Sequence, residues 1–318
     1  MSTFIVRRLL LAVVVLILVT LIIFFLMRLL PGDPVLLYIS QEHYSRITPE
    51  ELAAARHHFG VDKPIIVQYF NWISGLSHGD LGRSIFSSAT VSEQIGSALP
   101  ITIHLGLLAW IISHVIAIPV GIVCAARRGT WVDTLLTILA NLGITAPTFW
   151  VGILLIYLFG LYLGLLPIHG YTSPLDDFWL STRQVIMPVF CLCFTPLSGC
   201  VRQTRSAMLE VLRQDYIRTA WSKGLRERAV IFGHALKNGI IPVVTLAGMS
   251  IPMILGGQVL IETVFGIPGM GRLAVNALFS RDYAITQGVI LIMATMVLLS
   301  NLVVDISYGW LDPRVRYD

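Results

Sequence analysis

Leu9-Leu10-Leu11-Ala12-Val13-Val14-Val15-Leu16-Ile17-Leu18-Val19-Thr20-Leu21-Ile22-Ile23-Phe24-Phe25-Leu26-Met27 runs from Arg8 to Arg28 without a single charge. A hydrocarbon core takes about 20 apolar residues in a helix rising about 1.5 Å each, so this stretch reads as a membrane span. A cleaved leader is the competing reading, but a leader's apolar region runs to about 7–15 residues. No small-x-small cleavage pattern precedes Arg28 and Pro31. The segment is expected to stay as an anchor.

Five further stretches obey the same length rule. They lie within Gln94 to Ala126, within Thr134 to Leu166, from Val185 to Val201, from Gly239 to Ile261 and from Tyr283 to Val304. Composition agrees: of 318 residues 56% are hydrophobic and 13% charged, and the mean hydropathy is +0.79. A soluble domain carries about 25% charged residues, so this chain lacks the polar surface to cover a water-soluble globule. The expectation is an all-α polytopic protein of six transmembrane helices.

The net charge of +4 does not point to nucleic acid, because the positives cluster beside the ends of apolar segments. Arg7, Arg8, Arg127, Arg128, Arg314 and Arg316 fall on one side. So do Arg202, Arg205, Arg213, Arg218, Lys223, Arg226, Arg228 and Lys237, all between the fourth and fifth spans. The positive-inside rule places that side, and with it both termini, in the cytoplasm. Cys124, Cys191, Cys193 and Cys200 all lie in or beside apolar segments. Cys191 and Cys193 diverge by about 200° on a helix, so they read as small packing residues rather than as a metal or disulfide pair.

Two loops are too long to be simple turns. In the outer one, Thr48-Pro49-Glu50-Glu51 reads as a capping box opening a helix that runs to Phe59 and stops at Gly60. Leu52 and Phe59 would give that helix an apolar side, making the loop a folded cap or docking surface. In the basic loop, Met208, Leu209, Leu212 and Tyr216 suit a helix that prolongs the fourth span. Gly224 interrupts it. Leu225, Ala229, Phe232 and Leu236 then form a second stripe at helical spacing. Two short helices broken at a glycine make a rigid elbow suited to protein docking.

The stretch Tyr216-Ile217-Arg218-Thr219-Ala220-Trp221-Ser222-Lys223-Gly224-Leu225, followed by His234-Ala235-Leu236-Lys237-Asn238, resembles the "EAA" loop of the permease subunits of bacterial ABC importers, in its dipeptide/oligopeptide/nickel branch. Set on Gly224, the family pattern Glu-Ala-Ala, three residues, Gly, nine residues, Ile-x-Leu-Pro puts Arg218, Thr219 and Ala220 at its head. His234, Leu236 and Lys237 fall at its end, with Arg for Glu, His for Ile and Lys for Pro as departures. Further matches in order along the chain are Leu30-Pro31-Gly32-Asp33-Pro34, His78-Gly79-Asp80-Leu81-Gly82-Arg83-Ser84, Glu262-Thr263-Val264-Phe265-Gly266-Ile267-Pro268-Gly269-Met270-Gly271, Arg281-Asp282-Tyr283 and Asp312-Pro313-Arg314.

The resemblance implies a type I ABC importer permease fold in the bacterial inner membrane. It would consist of an N-terminal helix (1–30), an external loop (31–97), a five-helix core (98–306) holding a coupling loop (202–238), and a cytoplasmic tail (307–318). It implies a second homologous permease, two ABC ATPase subunits, a periplasmic or lipid-anchored binding protein and membrane lipid as partners, with no nucleic acid. Arg218, Thr219, Ala220, Gly224, Leu225, His234 and Leu236 would carry ATPase coupling. The chain itself is not expected to be an enzyme, since Lys63, Lys223 and Lys237 lack the flanking Gly and Ser or Thr of a phosphate-binding loop. ATP and magnesium would be held by partners, leaving this chain without a cofactor or metal. The cargo would be di- or oligopeptides, with nickel or a metal chelate as the alternative.

Polar and breaking residues inside the spans are the remaining signals. His104 and His114 are about 100° out of phase on one helix and read as neutral residues hydrogen-bonded between helices. Glu262 and Asp305 read as water-accessible span ends. Pro147, Pro252, Gly256 and Gly257 are candidates for hinges that line a pathway. A self-sufficient secondary transporter would show an inverted repeat and a charged midplane site; a membrane-embedded enzyme would show His-Glu-x-x-His or Gly-x-Ser-x-Gly. Neither pattern is seen in the sequence.

Overall fold

The computed structural model describes residues 2–29, 35, 48–58, 60–84, 86–87 and 89–311. The Leu30–Pro34 and Asp312–Arg314 motifs, Phe59 and Arg316 lie outside those residues. Among the described residues the elements are helices, with one isolated antiparallel bridge between Arg83 and Thr90.

Helix α1 spans Ser2–Leu29, and α2 spans Pro49–His58. The Leu52 N–H closes the first turn of α2 on the Thr48 carbonyl (3.1 Å), and Gly60 follows its end at φ 67°. An unforeseen α3, Ile65–Ser77, starts directly after Pro64. Helix α4, Val91–Ala126, opens on a reciprocal capping box. Thr90 N–H donates to Glu93 Oε2 (2.9 Å) and Glu93 N–H to Thr90 Oγ1 (3.2 Å). The third expected span is not one rod. Helices α5, Trp131–Thr145, and α6, Thr148–Leu155 with its π-helical extension Ile156–Tyr162, meet at a 103° bend. Pro147 stands at that corner; its ring fixes φ at −61° and removes a donor.

Helix α7, Phe178–Val211, exceeds the expected fourth span at both ends, and Asp177 Oδ1 caps it by accepting the Leu180 N–H. Helix α8 is Asp215–Ser222, and α9 is Ala229–Gly239, π-helical to Ala235. Helix α10, Ile241–Val264, carries Pro252 in its interior and is bent 52° from α9, so the fifth expected span is also broken. Then come α11, Met270–Ser280, and α12, Tyr283–Leu311. By length and composition α1, α4, α7 and α12 can each cross a membrane, and up to six spans result if each bent pair counts as one.

The chain divides into two compact units. The first takes in Ile103–Ile267 and the chain from Leu299 onward. Its centre is α7, against which α5, α6 and α10 pack. Small residues permit that closeness: a Cβ on Gly121 would stand 2.8 Å from the Val201 carbonyl, and one on Gly143 2.9 Å from that of Phe194. All four cysteines are free and buried; Cys124 and Cys200 belong to one packed cluster with Ala117, Ala140, Val201 and Val243. Asp133, at the start of α5, takes a bidentate pair from Arg205 of α7, Nε to Oδ1 at 2.7 Å and Nη2 to Oδ2 at 2.8 Å. The Gly129 N–H donates to the same carboxylate at 3.0 Å.

Glu262 corrects the sequence expectation. It is fully buried rather than water-accessible. The turn after α10 folds back, with the Ile267 N–H donating to the Glu262 carbonyl (2.8 Å), and Phe265 and Ile267 are buried at the helix end. Asp305 remains partly exposed, as expected.

The second unit takes in Val6–Thr102 and Pro268–Leu298. Val91, Ile95 and Ala98 of α4 pack with Met270 and Ala277 of α11 and with Ile285 and Val289 of α12. Thr102 Oγ1 accepts the Met270 N–H at 2.8 Å. Ser84 donates a short hydrogen bond to the buried Asp282 carboxylate, whose other oxygen accepts the Ile285 N–H at the start of α12. Helix α3 lies on α1 through aromatic contacts of Phe24 with Tyr69 (5.2 Å) and Trp72 (5.7 Å). Arg28 adds a hydrogen bond to Gln68 at 3.1 Å. In the turn after α2, a hydrogen bond from His57 (2.7 Å) holds the Asp62 carboxyl below its ordinary pKa.

Candidate functional site

The elbow between α7 and α10 is built from both ends of the first unit's helices. Helix α7 stops at Val211, and the Gln214 N–H turns back to the Val211 carbonyl at 3.0 Å. After α8 the Gly224 N–H bonds to the Trp221 carbonyl (2.9 Å), and Gly224 itself sits at φ 77°. That left-handed conformation costs a side-chain-bearing residue about 1–2 kcal/mol, so the expected break at Gly224 has its physical cause in place. Asn238 Nδ2 donates to Tyr216 Oη at 2.8 Å and closes the elbow.

The elbow's own core consists of Ile217 and Ala220 from α8 with Val230, Ile231 and Ala235 from α9, packed on Ile122 and Ala125 of α4 and Met208 of α7. This corrects the expected stripe. Leu225, Ala229 and Phe232 face outward and Leu236 is only partly buried. Leu225 lies before α9, whose first turns are π-helical and close i→i+5 instead of i→i+4. Val230 and Ala235, both fully buried, would stand about 140° apart on an α-helix; the π turn brings them to one face and turns the anticipated face to the outside. The continuation of α7 also differs: Met208 is buried and Leu209 and Leu212 pack beside it, but Tyr216 belongs to α8 and is exposed.

The sequence-derived coupling residues therefore split. Ala220 is in the core. Arg218 and Thr219 are exposed; Arg218 Nη1 lies 3.5 Å from Asp215 Oδ1, with both side chains largely in solvent, a pair worth little in itself. Thr219 Oγ1 bonds to the Asp215 carbonyl (3.0 Å). Gly224, Leu225 and His234 are exposed. With Trp221 at 45% and Phe232 at 59% exposure, the elbow shows large apolar side chains among Lys223, Arg226, Arg228 and Lys237.

The pathway candidates do not form one cluster. Pro147 is exposed at the α5–α6 corner. Pro252 and Gly256 lie one turn apart on α10, and a Cβ at Gly256 would meet nothing within 4 Å. Gly257 continues the same helix. His104 Nδ1 pairs with Tyr171 Oη at 2.8 Å, a loop residue rather than a second helix. His114 bonds within its own helix, to the Trp110 carbonyl at 2.7 Å, and its Nε2 is buried without a partner. Sequence reasoning passed over Gln258, which is fully buried on α10 with neither amide atom hydrogen-bonded. A polar residue inside an apolar run was the available signal.

The comparisons extend over the whole chain. Residues 1–106 match the model for the N-terminal part of binding-protein-dependent transport system membrane components, and residues 117–317 match the inner membrane component itself. A Brucella abortus protein named as a candidate peptide transport system permease is 42% identical over all of both chains. The dipeptide transport system permease protein DppB of Escherichia coli is 39% identical over 100% of this chain and 99% of its own. Among solved structures, inward-facing conformations of the MetNI methionine ABC transporter share the fold at a TM-score of 0.55 and 13% identity, covering 69% of this chain and 96% of theirs. This multi-pass chain belongs to the binding-protein-dependent transport system inner membrane component family.

Proposed function

We propose that this chain is one of two permease subunits of an ATP-driven importer in a bacterial inner membrane, and that its cargo is di- or oligopeptides. The observation that carries the proposal is the elbow: a pre-packed core holding exposed apolar and basic side chains on the ends of α4 and α7. A rigid lever of this kind is what transmission of a partner's motion requires. The names of relatives at 39% and 42% identity favour peptides over nickel. ATP and magnesium are assigned to two ATPase partners, and cargo delivery to a binding protein outside the membrane. The coupling residues are Arg218, Thr219, Gly224, Leu225 and His234 on the surface, with Ala220 and Leu236 supporting them.

Six spans with both termini in the cytoplasm are assigned, each bent pair counted as one crossing. The Asp133–Arg205 pair supports this, because it joins the start of α5 to the end of α7. The Gly170 N–H to Phe265 carbonyl bond (3.2 Å) supports it too, joining the loop after α6 to the end of α10. The domain limits 1–30, 31–97, 98–306 and 307–318 go with that topology.

Purification in mild detergent from cells expressing the whole system tests the proposal. A second permease and ATPase subunits should come down with this chain, and Phe232→Glu should lose the ATPase subunits alone. A chain that is isolated without partners and still transports when reconstituted would overturn it.

A further inference from the structure

We infer that Gln258 is a specificity-determining residue that reads the backbone amide of the transported peptide; this rests on the peptide-permease function proposed above. Gln258 lies in the interior of α10 and is 0% exposed. Its Nε2 and its Oε1 both lack a hydrogen-bond partner. A buried carboxamide left bare in an apolar setting is strongly unfavourable, and native proteins rarely leave such groups unpaired. The missing partner must offer a donor and an acceptor side by side. A peptide unit presents one N–H and one C=O, the complement of a primary carboxamide.

The surroundings of Gln258 suit a side chain that is hidden at rest and shown on demand. Gly106 of α4 faces it, and a Cβ on Gly106 would collide with the Gln258 amide nitrogen. Only glycine leaves the amide its place in the seam between these helices. On α10, Pro252 removes the hydrogen bond to the carbonyl four residues before it. Gly256 then stands open, with nothing within 4 Å of a Cβ. The helix is thus softened within two turns of Gln258, and a small twist there would turn the amide out of the seam. Further along the same two helices His114 Nε2 is also buried and unpartnered, in a cavity of about 380 Å³ lined by Trp110, Ala247 and Gly248. His114 lies eight residues from Gly106, about 12 Å along the axis, the reach of three to four extended residues. An unpaired acceptor at that distance fits the second end of a short peptide.

The experiment uses the complete transporter, coexpressed with its partner subunits and binding protein, in membrane vesicles. The probes are radiolabelled dialanine and alanyl-lactate, its ester isostere, which lacks the amide N–H. Wild type should prefer dialanine. Gln258→Met, matched in size but without the amide, should lower dialanine uptake about tenfold, the loss of one or two hydrogen bonds, and bring the two probes' rates together. The same binding protein serves both versions, so a changed ratio belongs to this chain. Gly106→Ala keeps Gln258 but drives its amide aside, and should shift the ratio the same way; copurification of the partner subunits verifies assembly for each variant. An assembled Gln258→Met complex with an unchanged rate and ratio would show the amide to be filler and overturn the inference. A wild-type complex that accumulates no dialanine, trialanine or tetraalanine overturns the peptide function itself, an outcome visible before any variant is compared.

Discussion

Gly224 and the Asp133–Arg205 pair show how single residues hold the elbow in its place. At Gly224 space is not the constraint, since an added Cβ meets nothing within 4 Å; the constraint is φ 77°. Gly224→Ala should therefore cost about 1 kcal/mol locally and leave the chain inserted. In the coupling role proposed above it should nevertheless depress substrate-stimulated ATPase activity in the assembled transporter, because the break between α8 and α9 would set the lever's angle. Normal stimulation in that variant would remove Gly224 from the coupling role. Arg205 presents a different case. Asp133 is buried while Arg205 keeps 31% of its side chain in solvent, so the loss on Asp133→Ala should be about 2 kcal/mol, below the range for a fully buried pair. That predicts a thermal midpoint lowered by about 5 °C in detergent. Arg205→Lys, with Asp133 intact, should lose part of the same stability, because an ammonium cannot reproduce the bidentate fork.

At the scale of the element, α9 is the most informative piece. Its π-helical turn holds one residue more than an α-helix would need to keep Val230 and Ala235 on one face. Deleting Gly233, which is exposed and has nothing within 4 Å of a Cβ, would bring those two to a four-residue spacing that an ordinary α-helix also places on one side. The deletion should be tolerated, with a thermal midpoint close to wild type. An alanine inserted after Gly233 should throw Ala235 off the packed face and destabilise the elbow; comparing the two melting curves tests the assignment. The same turn explains what the sequence hid. A 3.6-residue period located the helix after Gly224 but selected Leu225, Ala229 and Phe232 as its inner face, because periodicity assumes the very hydrogen-bond spacing that α9 departs from. The spans of α1, α4, α7 and α12 were legible from apolar length alone. The corner at Pro147 was visible as a proline, but its 103° angle depends on tertiary packing. Thr90-Val91-Ser92-Glu93 carries the capping-box pattern in the sequence as plainly as Thr48-Pro49-Glu50-Glu51 does. Gln258 is uncharged, so the rule that picks out ionisable groups at membrane depth does not reach it.

For the whole molecule, the decisive question is whether each bent pair crosses the membrane or returns to the side it left. Charge and contact both bear on the six-span topology proposed above. Arg127 and Arg128 follow α4, and the basic elbow follows α7; if both are cytoplasmic, an even number of crossings separates them. With α7 crossing once, α5 and α6 together must cross once as well. A re-entrant pair would carry the end of α7 to the opposite face from the start of α5, yet Asp133 and Arg205 are in hydrogen-bond contact. The same parity applied from the elbow to Arg314 and Arg316 would make α9 and α10 together one crossing and α12 another. The four native cysteines are buried, so the chain offers a quiet background for labelling with a membrane-impermeant maleimide. Asp176→Cys, in the exposed loop before α7, should label in intact spheroplasts. Lys223→Cys, on the elbow, should label only after the membrane is permeabilised. Labelling of both from the outside, or of neither, would break the parity and reduce the bent pairs to re-entrant loops.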